Sequence, residues 1–333
     1  MNKTISLSDI QVALGEDWSV MKSYIQDSLA SDIDLLNKIN GHLFLTSGKM
    51  LRPLLSLLVS KACGANSPLI SKVCAAASEI IHTATLLHDD VVDESLYRRG
   101  KLTVNALFSP GASLLMGDFW LARAIRIIIE NKCDYRVISY FSQTIEDLAE
   151  GEMLQMQRAD DCNTTMEDYL SIIHKKTASL FIASMCTSAV AEQVNPEVEE
   201  GIKEFAHRLG LAFQMRDDIL DYTPTKTDGK DVGSDLAERK VTLPLLCALK
   251  NNPDKELEVR AKLREIDPSK GADKQKNDLL ISEIKRFVLE NNGIQDAKEY
   301  LNKHIESSIE CLNVLPDSLY RDYMVSIVKI LSM

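Results

Sequence analysis

The chain has 333 residues, 45% of them hydrophobic, with 49 acidic side chains against 38 basic ones and a formal net charge of −11. A chain of that length buries a sizeable core, and an acidic balance excludes a surface built to hold nucleic-acid phosphates, which attract basic faces. Fourteen glycines, nine prolines and few alternating Val/Thr-rich segments argue against a large sheet.

Apolar residues recur at helical spacing almost from end to end, predicting helices over 20–45, 51–64, 69–93, 111–131, 135–158, 166–193, 197–222, 239–251, 277–291, 294–312 and 317–331. The breaks carry ordinary stop signals, "CGANSP" at 63–68, "NKCDY" at 131–135, "QVNPE" at 193–197 and "NNPD" at 251–254. The expected class is all-α. No Pro/Gly/Ser-rich linker divides the chain, so residues 1–333 are expected to form one domain. The stretch 251–277 is the most charged and reads as a solvent-facing helix and loop without chemistry. Seven cysteines without a CxxC pair fit buried free thiols in a reducing compartment. The opening "MNKTISLSDIQVALGEDW" lacks a signal peptide's basic start and apolar run, and no segment approaches the roughly 18 apolar residues of a spanning helix. A soluble cytoplasmic protein is expected.

Two stretches repeat one plan. In "LLHDDVVDESLYRRG" (86–100) an apolar helix runs into Asp89, Asp90 and Asp93, with Arg98 and Arg99 just beyond. In "QMRDDILDYTPTKTDGKDVGSDLAERKVTLP" (214–244) another runs into Asp217, Asp218 and Asp221, followed by Lys230 and Lys240. Acids at i and i+4 share a helix face and repel, so something positive is expected there. Mg²⁺ fits this place because it is a hard ion held by one or two carboxylates, its shell completed by water and phosphate oxygens, with the cations meeting the remaining phosphate charge. A single DDxxD arises easily by chance, but two framed by aliphatics do not. Asp160–Asp161, with no third acid, reads as a polar turn. "SGKMLRP" lacks the Ser/Thr of a P-loop, no GxGxxG occurs, the acids near Gly229 do not form an EF-hand loop, and the six histidines contain no HExxH.

These segments resemble the trans-isoprenyl diphosphate synthases, the long-chain polyprenyl (octaprenyl-type) members above all, over nearly the whole chain. "SGKMLRP" resembles the family's GGKxxRP, "HTATLLHDDVVDESLYRRGKLTVN" its first aspartate-rich motif and "GDFWLARA" its GDxLxAxA. "EGEMLQ" resembles GExxQ, "HKKTASLF" KTAxLF, "FQMRDDILDY" the second aspartate-rich motif and "GKDVGSDLAERKVTLPLL" the segment after it. The resemblance implies an all-α single domain of helices around a deep central cavity, a homodimer, with the two acidic motifs facing each other across its mouth. It implies that Asp89, Asp90, Asp93, Asp217, Asp218 and Asp221 bind about three Mg²⁺ ions that bridge to an allylic diphosphate. Arg98, Lys176, Thr177, Gln214, Lys230 and Lys240 would hold that diphosphate, with Lys176 and the acids Asp89, Asp90, Asp93, Asp217 and Asp218 as the catalytic set. Gly48, Lys49, Arg52, His82 and Arg99 would hold isopentenyl diphosphate. Ser47 stands where the family's first glycine is usual, and Met50 where a basic residue is common.

The implied reaction is head-to-tail elongation: the allylic C–O bond ionises, the double bond of isopentenyl diphosphate attacks, and a proton is lost to the departing pyrophosphate. His88 then needs no role as base and reads as structural. Running back from Asp89 along its helix, Thr85 and Ala84 come first, then Ile81, then Ser78 and Ala77. Short-chain members of the family place bulky aromatics in that first turn. With a rise of about 5.4 Å per turn and an isoprene unit of similar length, the small residues point to a product of roughly 30 to 50 carbons, about eight isoprene units being the best fit. The alternatives are a shorter-chain synthase, for which Ile81 would be the floor, a non-catalytic prenyl-binding subunit, and a terpene cyclase. The last is disfavoured because its second metal site carries an NSE/DTE pattern rather than DDILD.

Overall fold

The computed structural model describes residues 5–46, 48–64, 69–223, 233–269, 271 and 273–332. Its helices are Leu7–Leu14 (α1), Glu16–Ser28 (α2), Asp34–Leu45 (α3), Leu51–Cys63 (α4), Leu69–Val92 (α5), Val104–Leu107 (α6), Pro110–Glu130 (α7), Tyr135–Asp161 (α8) and Met166–Ile173 (α9). They continue with Ser179–Ala191 (α10), Pro196–Tyr222 (α11), Ser234–Ala237 (α12), Leu243–Asn251 (α13), Glu256–Glu265 (α14), Lys274–Glu290 (α15), Gly293–Cys311 (α16) and Leu319–Lys329 (α17). A two-stranded antiparallel ribbon, Tyr97–Arg98 (β1) with Lys101–Leu102 (β2), is the sheet present among the described residues. The expectation of an all-α chain holds. The chain forms two compact units, one from Met1–Gln143, Leu180–Lys203 and Leu312–Ile327, the other from Thr144–Ser179, Glu204–Cys311 and Val328–Met333.

In the first unit α5 packs against α2, α4 and α7. The small residues Cys74 to Ala77 and Ser78 are fully buried, which lets neighbouring backbones approach on several sides of one helix. Asp17 of α2 is buried between Lys61 of α4 at 2.5 Å and Lys72 of α5 at 2.9 Å, so the charge taken out of water is paired twice. The helix expected over 20–45 is broken between Ser28 and Asp34. The cause is tertiary: buried Asn40 donates to Leu29 O at 2.7 Å and accepts from Trp120 Nε1 at 2.9 Å, so the carbonyl that would continue α2 is taken by a side chain.

In the second unit α13 packs against α9, α15 and α16. Gly293 opens α16 where an added Cβ would lie 2.3 Å from Pro244 O, so only glycine admits this approach. The charged stretch after Asn251 forms α14, in which only Val259 and Leu263 are buried. Asp160 and Asp161, expected in a turn, are the last two residues of α8. No helix among the described residues is long and apolar enough to cross a membrane.

Candidate active site

The first acidic motif closes α5. Glu94 N donates to Val91 O and Ser95 N to Asp90 O, with Glu94 left-handed at φ 47°, a Schellman stop made without glycine. The chain then turns back through a two-residue hairpin whose loop, Arg99 (φ 53°) and Gly100 (φ 74°), has positive φ at both positions, as a type I′ turn requires. That turn aims the two arginines in different directions. Arg98 Nε donates to Asp90 Oδ1 at 2.8 Å, while Arg99 Nη1 donates to Thr46 O at 3.1 Å. The Arg99 guanidinium fills the place a Cβ on Gly48 would take, 2.4 Å from its Cζ. His42 and Lys101 Nζ, bonded to Leu102 O and Leu45 O, stitch the ribbon to the end of α3.

Gly48, His82, Asp90, Arg98 and Arg99 line one pocket of this unit. Five of the expected residues are thus brought together. Lys49 is exposed, and Arg52 does not line the pocket; its guanidinium stacks on Phe181 at 4.6 Å. Burial pushes Arg52 down to about 10, which still leaves it a cation at neutral pH. Burial, then the nearby Arg52, Arg99 and Arg98, hold His82 well below the usual imidazole range. It would meet a phosphate as a neutral hydrogen-bond donor. Glu79, 6% exposed, lines the same pocket and was not anticipated; burial raises its carboxyl, with Arg52 and Arg99 opposing. A lone acid inside the apolar run "AAASEIIHT" was the available signal.

Asp89 is half-buried, Asp90 buried and Asp93 exposed. Burial lifts Asp90 above its ordinary value against the pull of Arg98. His88 is held against α7, with Nε2 3.2 Å from Leu114 O and 3.3 Å from Asp118 Oδ1. Gly117, the glycine of "GDFWLARA", makes the room, since a Cβ there would lie 2.2 Å from Nε2. Along the proposed chain-length wall Ser78, Ile81 and Ala84 are fully buried and Thr85 half-buried. Ser78 Oγ donates to Ala75 O and Thr85 Oγ1 to His82 O, both at 2.8 Å, so each hydroxyl is satisfied within its own helix.

The second motif ends α11 in the other unit and repeats the arrangement, with Asp217 exposed, Asp218 3% exposed and Asp221 half-buried. Asp218 Oδ2 accepts from the Tyr169 phenol at 2.6 Å and Oδ1 from Gln214 Nε2 at 2.9 Å. Burial drives its carboxyl up to about 7; those two donors oppose it, while Asp217 and Asp221 add to it. Asp221 accepts from Ser234 N and Oγ and from Asp235 N, capping the short α12. Asp235 itself is raised to about 8, first by burial and then by Asp218 and Asp221. In both motifs the middle acid is buried and engaged by donors.

Between α9 and α10 the chain makes a π-turn, His174–Ala178, with Ser179 N donating to His174 O. Such insertions bulge the helix and recur at functional sites. Two glycines accept the bulge. A Cβ on Gly151 would lie 2.8 Å from Lys175 Cβ and from Lys176 Cγ, and one on Gly210 would lie 2.5 Å from Ala178 Cα. Lys176 pairs with Glu152 of "EGEMLQ", Lys175 with Asp147 and Glu150, and Lys240 with Glu238. Thr177 Oγ1 donates to Gln214 Oε1 at 2.8 Å. Lys230 and Ser47 lie outside the described residues.

Among the described residues no group of three or more His, Cys, Asp or Glu side chains is gathered so as to hold a metal by itself. The donors nonetheless fit Mg²⁺, whose usual sites use one or two carboxylates and leave the remaining positions to water and phosphate.

Helices throughout, with acid triplets flanked by lysine and arginine, define a diphosphate-handling all-α enzyme. The polyprenyl synthetase family model matches residues 33–279, and the chain belongs to that family of prenyltransferases. It is 34% identical over 328 residues to the octaprenyl diphosphate synthase of Escherichia coli K12, covering 98% of each chain. It is also 34% identical over 323 residues to the geranyl-diphosphate-specific all-trans-nonaprenyl-diphosphate synthase of Rhodobacter capsulatus, covering 97% of this chain and 96% of that one. Among solved structures, a Caulobacter crescentus polyprenyl synthase complexed with calcium and isoprenyl diphosphate superposes with a TM-score of 0.86 at 32% identity, over 100% of this chain and 99% of that one. The fold is that of the isoprenoid synthases.

Proposed function

We propose that this protein is a Mg²⁺-dependent long-chain trans-polyprenyl diphosphate synthase that adds isopentenyl diphosphate to an allylic diphosphate, farnesyl or geranylgeranyl, with an octaprenyl product as the best fit. It would act as a cytoplasmic homodimer whose two units serve one synthase domain. The observation that carries the reading is the repeated arrangement of an engaged middle acid flanked by two more accessible ones, with lysines and arginines alongside.

Asp89, Asp93, Asp217 and Asp221 would supply most of the metal contacts, with Asp90 and Asp218 holding the helix ends that carry them. Bound Mg²⁺ offsets the negative charge that grows on the diphosphate as the allylic C–O bond breaks. By the family resemblance, Arg98, Lys176, Lys230 and Lys240 would meet the charge of the allylic diphosphate, with Thr177 and Gln214 as further donors. Arg99 and neutral His82 would hold isopentenyl diphosphate in the pocket they line with Gly48, with Lys49 and Arg52 adding positive charge, so that its double bond meets the ionising carbon. No side chain is needed as base, because the departing pyrophosphate takes the proton.

Incubation with Mg²⁺, labelled isopentenyl diphosphate and farnesyl or geranylgeranyl diphosphate should give a product ladder ending at one long polyprenyl diphosphate and abolished by EDTA. Absence of product with every allylic starter would sink the reading. Thr85→Phe should shorten the ladder markedly, since a ring one helical turn from Asp89 obstructs the path of the growing chain close to the motif. An unchanged ladder would show that α5 is not the wall.

A further inference from the structure

Tyr169 of α9 belongs to none of the residue sets assigned above, yet one hydrogen-bonded row joins it to them. Its phenol, in a side chain 2% exposed, donates to Asp218 Oδ2; Asp218 Oδ1 accepts from Gln214 Nε2; and Gln214 Oε1 accepts from Thr177 Oγ1. The row crosses α9, α11 and the π-turn, and ends on two residues assigned to the allylic diphosphate. Its directions are not interchangeable. While Asp218 is ionised it only accepts, so Gln214 then presents its NH₂ to Asp218 and its carbonyl to Thr177. One N–H of that NH₂ is thereby committed to Asp218, and the other remains for a phosphate oxygen. An amide left to itself is easily inverted, its two ends being nearly equal in size. Here the inversion would put a carbonyl against Asp218, and it is opposed as long as the carboxylate stays in place. The 2.6 Å bond from Tyr169 holds that carboxylate from the side opposite Gln214.

We propose that Tyr169 is a positioning residue for the allylic diphosphate, fixing Asp218 so that Gln214 keeps its free N–H directed to the phosphate. This rests on the assignment of Gln214 to that diphosphate in the function proposed above. Tyr169→Phe keeps the buried ring and removes only the donor, so the fold should survive.

The test is a double-mutant cycle of Tyr169→Phe and Gln214→Ala, reading kcat/KM for farnesyl diphosphate, KM for isopentenyl diphosphate, and calorimetric binding of inorganic pyrophosphate with Mg²⁺. Tyr169→Phe is expected to lower kcat/KM for the allylic substrate about tenfold, the worth of one hydrogen bond to a charged group. It should weaken pyrophosphate binding about fivefold and leave KM for isopentenyl diphosphate within about twofold. In the Gln214→Ala background it should change nothing further, since residues acting through one another are not additive. A lowered melting temperature with allylic kcat/KM and pyrophosphate affinity intact would make Tyr169 a structural tether only. An undiminished Tyr169→Phe loss in the Gln214→Ala background would also overturn the proposal. If Gln214→Ala alone leaves both readouts at parental values, the site assignment has failed, and the proposal fails with it.

Discussion

Gly210→Ala is expected to lower the melting temperature by about 2–5 °C and to cut turnover at the same time. The added methyl would lie 2.5 Å from Ala178 Cα, 2.7 Å from Ala178 Cβ and 3.3 Å from Ala178 N. The nearest obstacle is backbone rather than the far end of a flexible side chain, so α11 and the π-turn must separate. Overpacking of this kind costs about 1–3 kcal/mol and sometimes more. The separation falls where Thr177, the neighbour of Ala178, donates to Gln214, one turn along α11 from Gly210. A bond of 2.8 Å does not survive a shift of about 1 Å, so the row from Thr177 to Asp218 would be cut as well. Gly41→Ala is the matched control. Gly41 is exposed within α3, nothing lies within 4 Å of a Cβ there, and alanine should stabilise by about 0.5–1 kcal/mol. Scanning calorimetry of the two variants decides the matter. A Gly210→Ala protein that melts with the parent would mean that the glycine does not seat the π-turn.

What the sequence made legible and what it hid follow from the range of the forces involved. The longer helices were legible because apolar residues recur along them at helical spacing, whereas the short α1, α6 and α12 went unread; the acidic motifs were legible because like charges at i and i+4 require a compensating cation. The break between α2 and α3 was hidden because it depends on a side chain of the following helix, Asn40, taking the carbonyl of Leu29. The hairpin after the first motif was hidden for a different reason. Strands of two residues are too short to show a period, and Arg99–Gly100 is not one of the common type I′ pairs. The π-turn adds one residue to a run of helical spacing, "YLSIIHKKTASLF", where the apolar pattern continues on both sides. Tyr169 lies 49 residues from the aspartate it holds, and nothing local marks a tyrosine as the partner of a carboxylate. The acidic motifs and the cations that follow them were thus readable from charge and spacing. The residues that hold them in place were not, because that information lies in contacts between distant segments.

Asp217→Ala and Asp218→Ala are expected to separate two roles that the motif "DDILD" runs together. Asp217 is exposed, so its removal should leave stability within about 0.5 kcal/mol of the parent, as for most surface substitutions. Turnover should nonetheless fall about 10²–10³-fold, the usual loss when one group stabilising developing charge is deleted. Asp218 is buried and accepts from Tyr169 and Gln214. Its loss leaves the buried Tyr169 donor unpaired at about 1–3 kcal/mol and frees the half-buried Gln214 as well, so activity and melting temperature should fall together. Steady-state assays on both variants beside their thermal melts give the comparison. Asp217→Ala turning over within about threefold of the parent would remove the second motif from the reaction path, whatever Asp218→Ala does to stability. Equal destabilisation of the two would show instead that the outer acid is as much a part of the packed structure as the middle one, and that the repeated arrangement of the two motifs is a feature of how these helices end rather than of how they bind metal.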